Sequence, residues 1–380
     1  MKLTRKERFI YKFIFNEKRV YRHWYSRFLI TNVNIDRIRR VISRINHFYN
    51  WCKEWQKEGD ALSKIAEDAL AKGNNYSAYE LYQEAAACCH IGQHPYFLDL
   101  DQKQEVQEKV RFFYQKSIEL LDEAKRPIRI EIPYLQTVIP GYLHRTDQPN
   151  QPLIIQVNGM DNLKEIENHY LGIRFVENGF NTFVFDGPGQ GEMWNKLKLI
   201  KDYEKVVSVI IDWFEKNNQF KINLEKIAIY GMSFGGYLSP RVAAFEKRIS
   251  CAVGNGGFGY LQIGKKKENP LAINLKRVNP IYIRGLLYMT GYKSINEFTK
   301  IWDKLDIKEV PPLDRPFLFI QGGKDRVIPN ATLQAKYLME WAIGEKKLLY
   351  YPNGEHCCAN YLDEVIPFSI DWLSKYLYEV

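Results

Sequence analysis

The chain changes its hydrophobic period once. Up to about Arg126 the apolar residues recur every three or four positions. In NIDRIRRVISRINHFYNW, Ile35, Ile38, Val41, Ile42, Ile45, Phe48 and Trp51 share one helical face. Asn34 stands where an N-cap belongs. Further helices are predicted over 61–71, 76–89 and 102–124, punctuated by Gly73-Asn74-Asn75 and by 92–95. Segment 76–89 has no second copy at a fixed period, so no solenoid is predicted. After Arg126 the pattern is different. RPIRIEIPYL and TVIPGYLHR read as an antiparallel pair at a sheet edge, where their prolines are tolerated. Short apolar runs then alternate with helical stretches: LIIQV (153–157), NTFVF (181–185), IAIY (227–230), CAV (251–253), PFLFI (316–320) and KLLYY (347–351). Helices are predicted near 164–178, 203–216, 237–246, 331–341 and 361–378. That alternation implies a mostly parallel sheet covered by helices on both faces. The chain therefore reads as a helical N-terminal domain over 1–126 and an α/β domain over 127–380. Segment 258–313 breaks the rhythm and reads as a partly helical insertion near the active-site face.

One run carries chemistry. KIAIYGMSFGGY places Ser233 where a buried strand turns into a helix, with Gly231 and Gly235 two residues to either side. A Cβ at either glycine would clash where the two backbones pass. This G-x-S-x-G arrangement holds a hydroxyl exposed on a strained turn. A serine hydroxyl is a weak nucleophile at neutral pH. It needs a base, and the base needs an orienting acid. The acid and the histidine should follow the serine in that order, and they do. Asp325, in QGGKDRVIP, lies just past the carboxyl end of PFLFI, where open α/β sheets place active groups. His356, in PNGEHCCAN, lies in the loop after KLLYY. Asp314 precedes its strand and sits at the wrong edge. Asp186, in FDGPGQGE, reads as structural support. Glu355 adjoins His356 too closely in sequence to serve it. His23, His47, His90 and His94 fall in the helical part, His144 and His169 in edge or helix contexts. The oxyanion formed by acyl transfer needs N–H donors. Phe234, after the serine, supplies one. Met160, in the loop VNGMDN after Gly159, is the candidate for the second, although that loop lacks the HGGG pattern.

Composition narrows the class. With 46% hydrophobic and 14% aromatic residues in 380, the chain can bury a large core. No run approaches the roughly 18 uncharged apolar residues of a membrane span, and the basic start has no uninterrupted apolar core of a secretory signal. Six cysteines, with vicinal pairs Cys88-Cys89 and Cys357-Cys358, match no zinc spacing. The simplest reading is a reduced, cytoplasmic protein without cofactor or structural metal. The vicinal Cys357-Cys358 pair is expected to pack under the histidine loop. The net charge is +9. The excess among Lys2, Arg5, Lys6, Arg8, Lys12, Lys18, Arg19, Arg22 and Arg27 reads either as a solvated helical face or as a surface for an acidic partner. No nucleic-acid module is recognisable.

The elbow GMSFGG, the turn FDGPGQGE, the acid loop GGKDRVIP and the loop GEH, behind a helical N-terminal region, resemble the α/β-hydrolase superfamily. Within it they resemble the branch of FrsA-like proteins, dihydroxypseudooxynicotine hydrolase and polyketide-shortening hydrolases. The resemblance covers most of the chain. It implies an α/β-hydrolase fold with a helical cap, and Ser233, Asp325 and His356 as the catalytic residues. It also implies hydrolysis of carbon–carbon bonds beside a carbonyl as well as of esters. The pseudooxynicotine enzyme is thought to use a further glutamate after the elbow strand. CAVGNGGFGYLQIG holds no acid, and Glu268 comes late in a lysine-rich stretch, which argues against that substrate.

The leading expectation is a serine hydrolase that shortens an aromatic, β-diketone-like polyketide intermediate by a retro-Claisen route. The substrate would be free or delivered by an acidic acyl carrier protein, and a homodimer is compatible with the sequence. A carboxylesterase or thioesterase would use the same groups. A third reading is a non-catalytic binding protein on a hydrolase scaffold, which a missing triad member would favour; none is missing. Two aromatic-rich segments could cover the elbow. One holds Tyr76, Tyr79, Tyr82, Tyr96 and Phe97, the other Tyr260, Tyr282, Tyr288 and Tyr292.

Overall fold

The structure, a computed structural model, describes Phe28, Thr31, Leu271 and residues 33–262, 280–302, 304–328 and 330–378. The basic cluster from Lys2 to Arg27, Glu268 and the side chain of Tyr282 lie outside the described residues. The chain divides into two compact units. One is Met1–Arg126 with Glu165–Tyr170 and Pro280–Gly285; the other is Pro127–Lys164, Leu171–Asn279 and Leu286–Val380.

The first unit is built from α1 (Ile35–Arg44), α2 (Trp51–Ala71), α3 (Asn75–Gln93) and α4 (Leu100–Ile118). The Asn34 side chain caps α1 by accepting the N–H groups of Asp36 and Arg37. The apolar run from Ile35 to Trp51 is not the single helix its period predicts. Ile45 is extended, and a 3-10 turn at Phe48–Asn50 leads into α2. The fold-back has an electrostatic partner. Arg37, Arg40 and Arg44 all donate to the carboxylate of Glu58 on α2, at 2.7, 2.6 and 2.6 Å. Burial works to raise the Glu58 pKa, but the three guanidinium groups prevail and hold it at about 2. Tyr82 stacks on Phe113 and Tyr96 meets Phe48, both buried, whereas Tyr76 is exposed against Tyr79.

The second unit contains β1 (Ile128–Tyr134), β2 (Thr137–His144), β3 (Pro152–Val157), β4 (Asn181–Phe185), β5 (Asn223–Met232), β6 (Ile249–Asn255), β9 (Phe317–Gly322) and β10 (Lys346–Tyr351). They form one sheet in the order β1-β2-β4-β3-β5-β6-β9-β10. The pairs β1–β2 and β2–β4 are antiparallel; the other five are parallel. The expected edge hairpin, mostly parallel sheet and flanking helices are all present. Helices α5 (Glu167–Glu177), α6 (Glu204–Lys216), α7 (Phe234–Phe245) and α10 (Ala331–Trp341) fill crossovers between strands, and α11 (Leu362–Leu377) follows β10. Parallel register puts Ile154, Thr182 and Ala228 in one row and Ile155, Phe183 and Ile229 in the next. Alternation sends these rows to opposite faces. The first face packs Leu171 and Phe175 of α5 and Val365, Ile370 and Leu373 of α11. The second packs Phe183 against Phe214 of α6 and Phe185 against Tyr203. The irregular region after β6 holds β7 (Tyr260–Gln262), paired with β8 (Lys304–Asp306), and the helices α8 (Pro280–Thr290) and α9 (Ile295–Ile301).

Candidate active site

Ser233 sits between β5 and α7 with φ 59° and ψ −118°, a conformation a non-glycine residue adopts only under constraint. The constraint is visible on both sides. A Cβ on Gly231 would stand 2.0 Å from the carbonyl oxygen of Gly235, and one on Gly235 would stand 2.3 Å from that of Val157. Strand, turn and helix are in backbone contact, so the predicted elbow is present. Phe234 opens α7, and a first-turn N–H has no partner within its own helix.

The three residues expected from the sequence meet. Ser233 Oγ lies 2.9 Å from His356 Nε2, and His356 Nδ1 lies 2.8 Å from Asp325 Oδ2. The loops that carry Asp325 and His356 follow the adjacent parallel strands β9 and β10. They approach so closely that a Cβ on Gly322 would stand 2.3 Å from the carbonyl oxygens of Gly354 and Glu355. Asp325 is itself held. Val327 and Ile328 donate their N–H groups to Oδ1 at 2.8 and 3.0 Å, and Gln321 Nε2 donates to Oδ2 at 3.3 Å. Burial favours the neutral acid, but His356 and the N–H groups of Ile328 and Val327 prevail and hold Asp325 below its usual range. Burial likewise works against the imidazolium of His356, and Asp325 outweighs it, raising the histidine above its usual 6.5.

Cys357 and Cys358 follow the histidine and pack into the core beneath it, as expected. Both have positive φ, 54° and 48°. Cys357 Sγ faces the carbonyl oxygen of Asn255 at 3.6 Å. That carbonyl also accepts the N–H of Ser233 at 2.8 Å. A left-handed turn at two consecutive non-glycine residues leaves no mark in the sequence.

Met160 follows Gly159 in the loop after β3. A Cβ on Gly159 would stand 3.1 Å from Ser233 Cβ, so this loop runs against the serine side chain. Asp186 is fully buried and pins the loop. It accepts from Asn158 Nδ2 (2.8 Å), Lys164 N (3.2 Å), Lys164 Nζ (2.7 Å) and Glu192 N (2.9 Å). The supporting role expected of Asp186 has this concrete form. Asp314 pairs with its neighbour Arg315.

His169 accepts or donates to Tyr114 at 2.9 Å, and burial lowers its pKa to about 4, so it stays neutral. Among the described residues, His90, His94 and Glu167 in the first unit bring metal-ligand atoms within 4.8 Å of one another. Their hydrogen bonds describe a different use. Lys103 Nζ donates to Gln93 Oε1 at 2.7 Å, which turns Gln93 Nε2 toward His90 Nδ1 at 3.0 Å. His90 Nδ1 is then an acceptor, and the proton sits on Nε2, which donates to Glu167 Oε1 at 3.0 Å. That tautomer occupies the nitrogen a metal would need.

An elbow serine at the carboxyl edge of a mainly parallel sheet, hydrogen-bonded through histidine to aspartate, defines the α/β-hydrolase class. The family described as "BAAT / Acyl-CoA thioester hydrolase C terminal" matches residues 209–360. The chain is 32% identical over 314 residues to 2,6-dihydropseudooxynicotine hydrolase of Paenarthrobacter nicotinovorans, covering 82% of this chain and 80% of that one. It is 29% identical over 239 residues to 20-hydroxy-prefusarin hydrolase FUS2 of Gibberella moniliformis, covering 59% and 56%. The crystal structure of the 2,6-dihydroxy-pseudo-oxynicotine hydrolase superposes with a TM-score of 0.79 over 93% of this chain and 96% of that one at 24% identity. Wild-type AbyA5 superposes at 0.69 over 95% and 93% at 15% identity, a likeness of fold. The chain belongs to the α/β-hydrolase superfamily, in the branch of 2,6-dihydropseudooxynicotine hydrolase, and is an enzyme of the hydrolase class. No described helix is long and apolar enough to cross a membrane.

Proposed function

We propose that this protein is a serine-dependent hydrolase that cleaves a carbon–carbon bond beside a ketone in an aromatic, polyketide-like intermediate. The observation that carries the reading is the unbroken hydrogen-bond series from Ser233 through His356 to Asp325. His356 Nε2 takes the proton of the Ser233 hydroxyl as Oγ bonds to one carbonyl carbon of a 1,3-diketone. The carbonyl oxygen becomes an oxyanion held by the N–H groups of Phe234 and Met160. Collapse breaks the bond to the central carbon, whose electron pair leaves as an enolate conjugated with the second ketone. The imidazolium protonates it, giving a ketone. Water then attacks the acyl-enzyme, His356 takes its proton, and collapse releases a carboxylic acid and restores the serine. The sum is one diketone plus one water giving one acid plus one ketone. Asp325 keeps the histidine oriented and balances its transient charge.

The substrate class rests on the relatives, whose names speak of a pseudooxynicotine and a prefusarin. The matched thioester-hydrolase family favours a second reading, in which the leaving atom is sulfur or oxygen and the residues keep their roles. The test compares an aryl 1,3-diketone with its p-nitrophenyl ester and its thioester. Labelled water should put one ¹⁸O in the acid product from the diketone, and Ser233→Ala should abolish the reaction. Turnover of esters alone would support the second reading. Undiminished diketone turnover by Ser233→Ala would defeat the serine mechanism.

A further inference from the structure

The turn DGPGQGE contains a side chain aimed at the oxyanion loop. Gln190 is fully buried, and its Nε2 donates to two successive main-chain carbonyls, Asn158 O and Gly159 O, each at 2.8 Å. Its Oε1 accepts from the hydroxyl of Tyr203, also fully buried, so the carboxamide cannot turn over. Gly159 O and the N–H of Met160 belong to one planar trans peptide unit and point in opposite directions. Fixing the carbonyl toward Gln190 therefore fixes the N–H away from it. Gly159 rests against Ser233, with 3.1 Å between a Cβ on the glycine and that of the serine. The loop needs such a device, because a glycine at this point leaves the peptide free to rotate. Asp186 anchors the loop through hydrogen bonds at Asn158 and Lys164, its two ends, whereas Gln190 bonds to the carbonyl of the 159–160 peptide itself.

We infer that Gln190 is a positioning residue for the oxyanion hole: it sets the orientation of the Gly159–Met160 peptide and so presents the Met160 N–H to the developing oxyanion, with Tyr203 locking the amide. The inference rests on the serine mechanism proposed above. Gln190→Met keeps the length and removes the donor; Gln190→Glu keeps the shape and sets a carboxylate against two carbonyls. Tyr203→Phe releases the amide only. The readouts are the second-order rate of labelling by a fluorophosphonate and the affinity of phenylboronic acid, both of which place an oxygen in the hole, followed across pH.

Removing one oxyanion donor outright costs about 10²–10³ in rate, and loss of its orientation should cost somewhat less. Gln190→Met and Gln190→Glu should fall roughly 10- to 100-fold in both readouts. The pH midpoint of labelling by Gln190→Met should stay at the wild-type value, because that variant adds no titrating group and leaves the His356–Asp325 pair untouched. Tyr203→Phe should fall less, and it carries the test if the Gln190 variants do not fold. Wild-type rates and affinities in a folded variant would overturn the inference, as would a shifted pH midpoint in Gln190→Met, which would place the effect on the histidine. Ser233→Ala separates the two levels. Labelling that persists in Ser233→Ala defeats the serine reading itself, whereas its disappearance beside normal Gln190 variants defeats only this inference.

Discussion

The hydroxyl oxygen of Ser233 and Nε2 of His356 lie 2.9 Å apart although 123 positions separate them in the chain. Their meeting depends on parallel strand order: β5 leads to the serine, β10 leads to the histidine, and β9 brings Asp325 alongside. Each of the three should therefore be costly to remove without unfolding the protein. Ser233→Ala and His356→Ala should each lower kcat by several orders of magnitude. Asp325→Asn should cost on the order of 10⁴-fold if the aspartate sets the histidine tautomer. Steady-state rates beside melting curves check this; a low rate that tracks a low melting temperature would mean a folding defect.

The pH profile follows from the same pair. In the mechanism proposed above His356 must be neutral to accept the serine proton, and Asp325 raises its pKa above 6.5 against the effect of burial. Activity should rise with pH through a midpoint above 6.5. Asp325→Asn removes the charge that favours the imidazolium, so its residual activity should rise at a lower pH. Linkage gives the matching stability. The raised histidine contributes fully below 6.5, and the contribution is lost as pH rises through its folded value. An ascending limb that stays in place in Asp325→Asn would contradict the assignment of the base.

Cys357 and Cys358 test whether proximity implies participation. Burial raises the Cys358 thiol, so no thiolate is available there near neutral pH. Double replacement by alanine should keep kcat within a few-fold and lower the melting temperature, since the pair sits in the core under α11. Loss of activity comparable to His356→Ala in a folded variant would assign the thiols a chemical role.

Much of this was legible in the sequence, for identifiable reasons. Ser233, Asp325 and His356 are marked by short-range patterns, a glycine-fenced serine and two loops after buried strands. The sheet follows from apolar runs that lack alternation. What stayed hidden depends on pairing across the chain. Periodicity alone joins Ile35 to Trp51 in one helix, whereas the chain turns at Ile45 and the arginines of α1 pair with Glu58 on the next helix, a contact no local period reports. Gln190 lay inside a motif read only as support. Its task depends on which carbonyls face it, and glutamine in a glycine-rich turn has no period to reveal that. The left-handed backbone at Cys357-Cys358 was likewise silent, because turn positions with positive φ are usually announced by glycine or asparagine.

Gly235 separates local strain from functional fit. A Cβ there would stand 2.3 Å from Val157 O and 2.9 Å from Asn158 O, both main-chain atoms that cannot swing aside. Gly235→Ala must therefore push α7 away from the end of β3 or displace Asn158, the first residue of the loop after β3. Gly73 offers the contrast: its φ is 77°, and a Cβ on it meets nothing within 4 Å. Gly73→Ala should cost only the left-handed backbone strain, about 1 kcal/mol, with kcat unchanged. Gly235→Ala should lose stability and, in the fraction that remains folded, lose fluorophosphonate reactivity by roughly the 10²-fold expected for a damaged oxyanion hole. Equal loss of stability in the two variants with normal reactivity in both would mean that the elbow tolerates a wider turn than its backbone contacts indicate. Normal reactivity in Gly73→Ala beside the loss in Gly235→Ala would tie the elbow glycine to the chemistry.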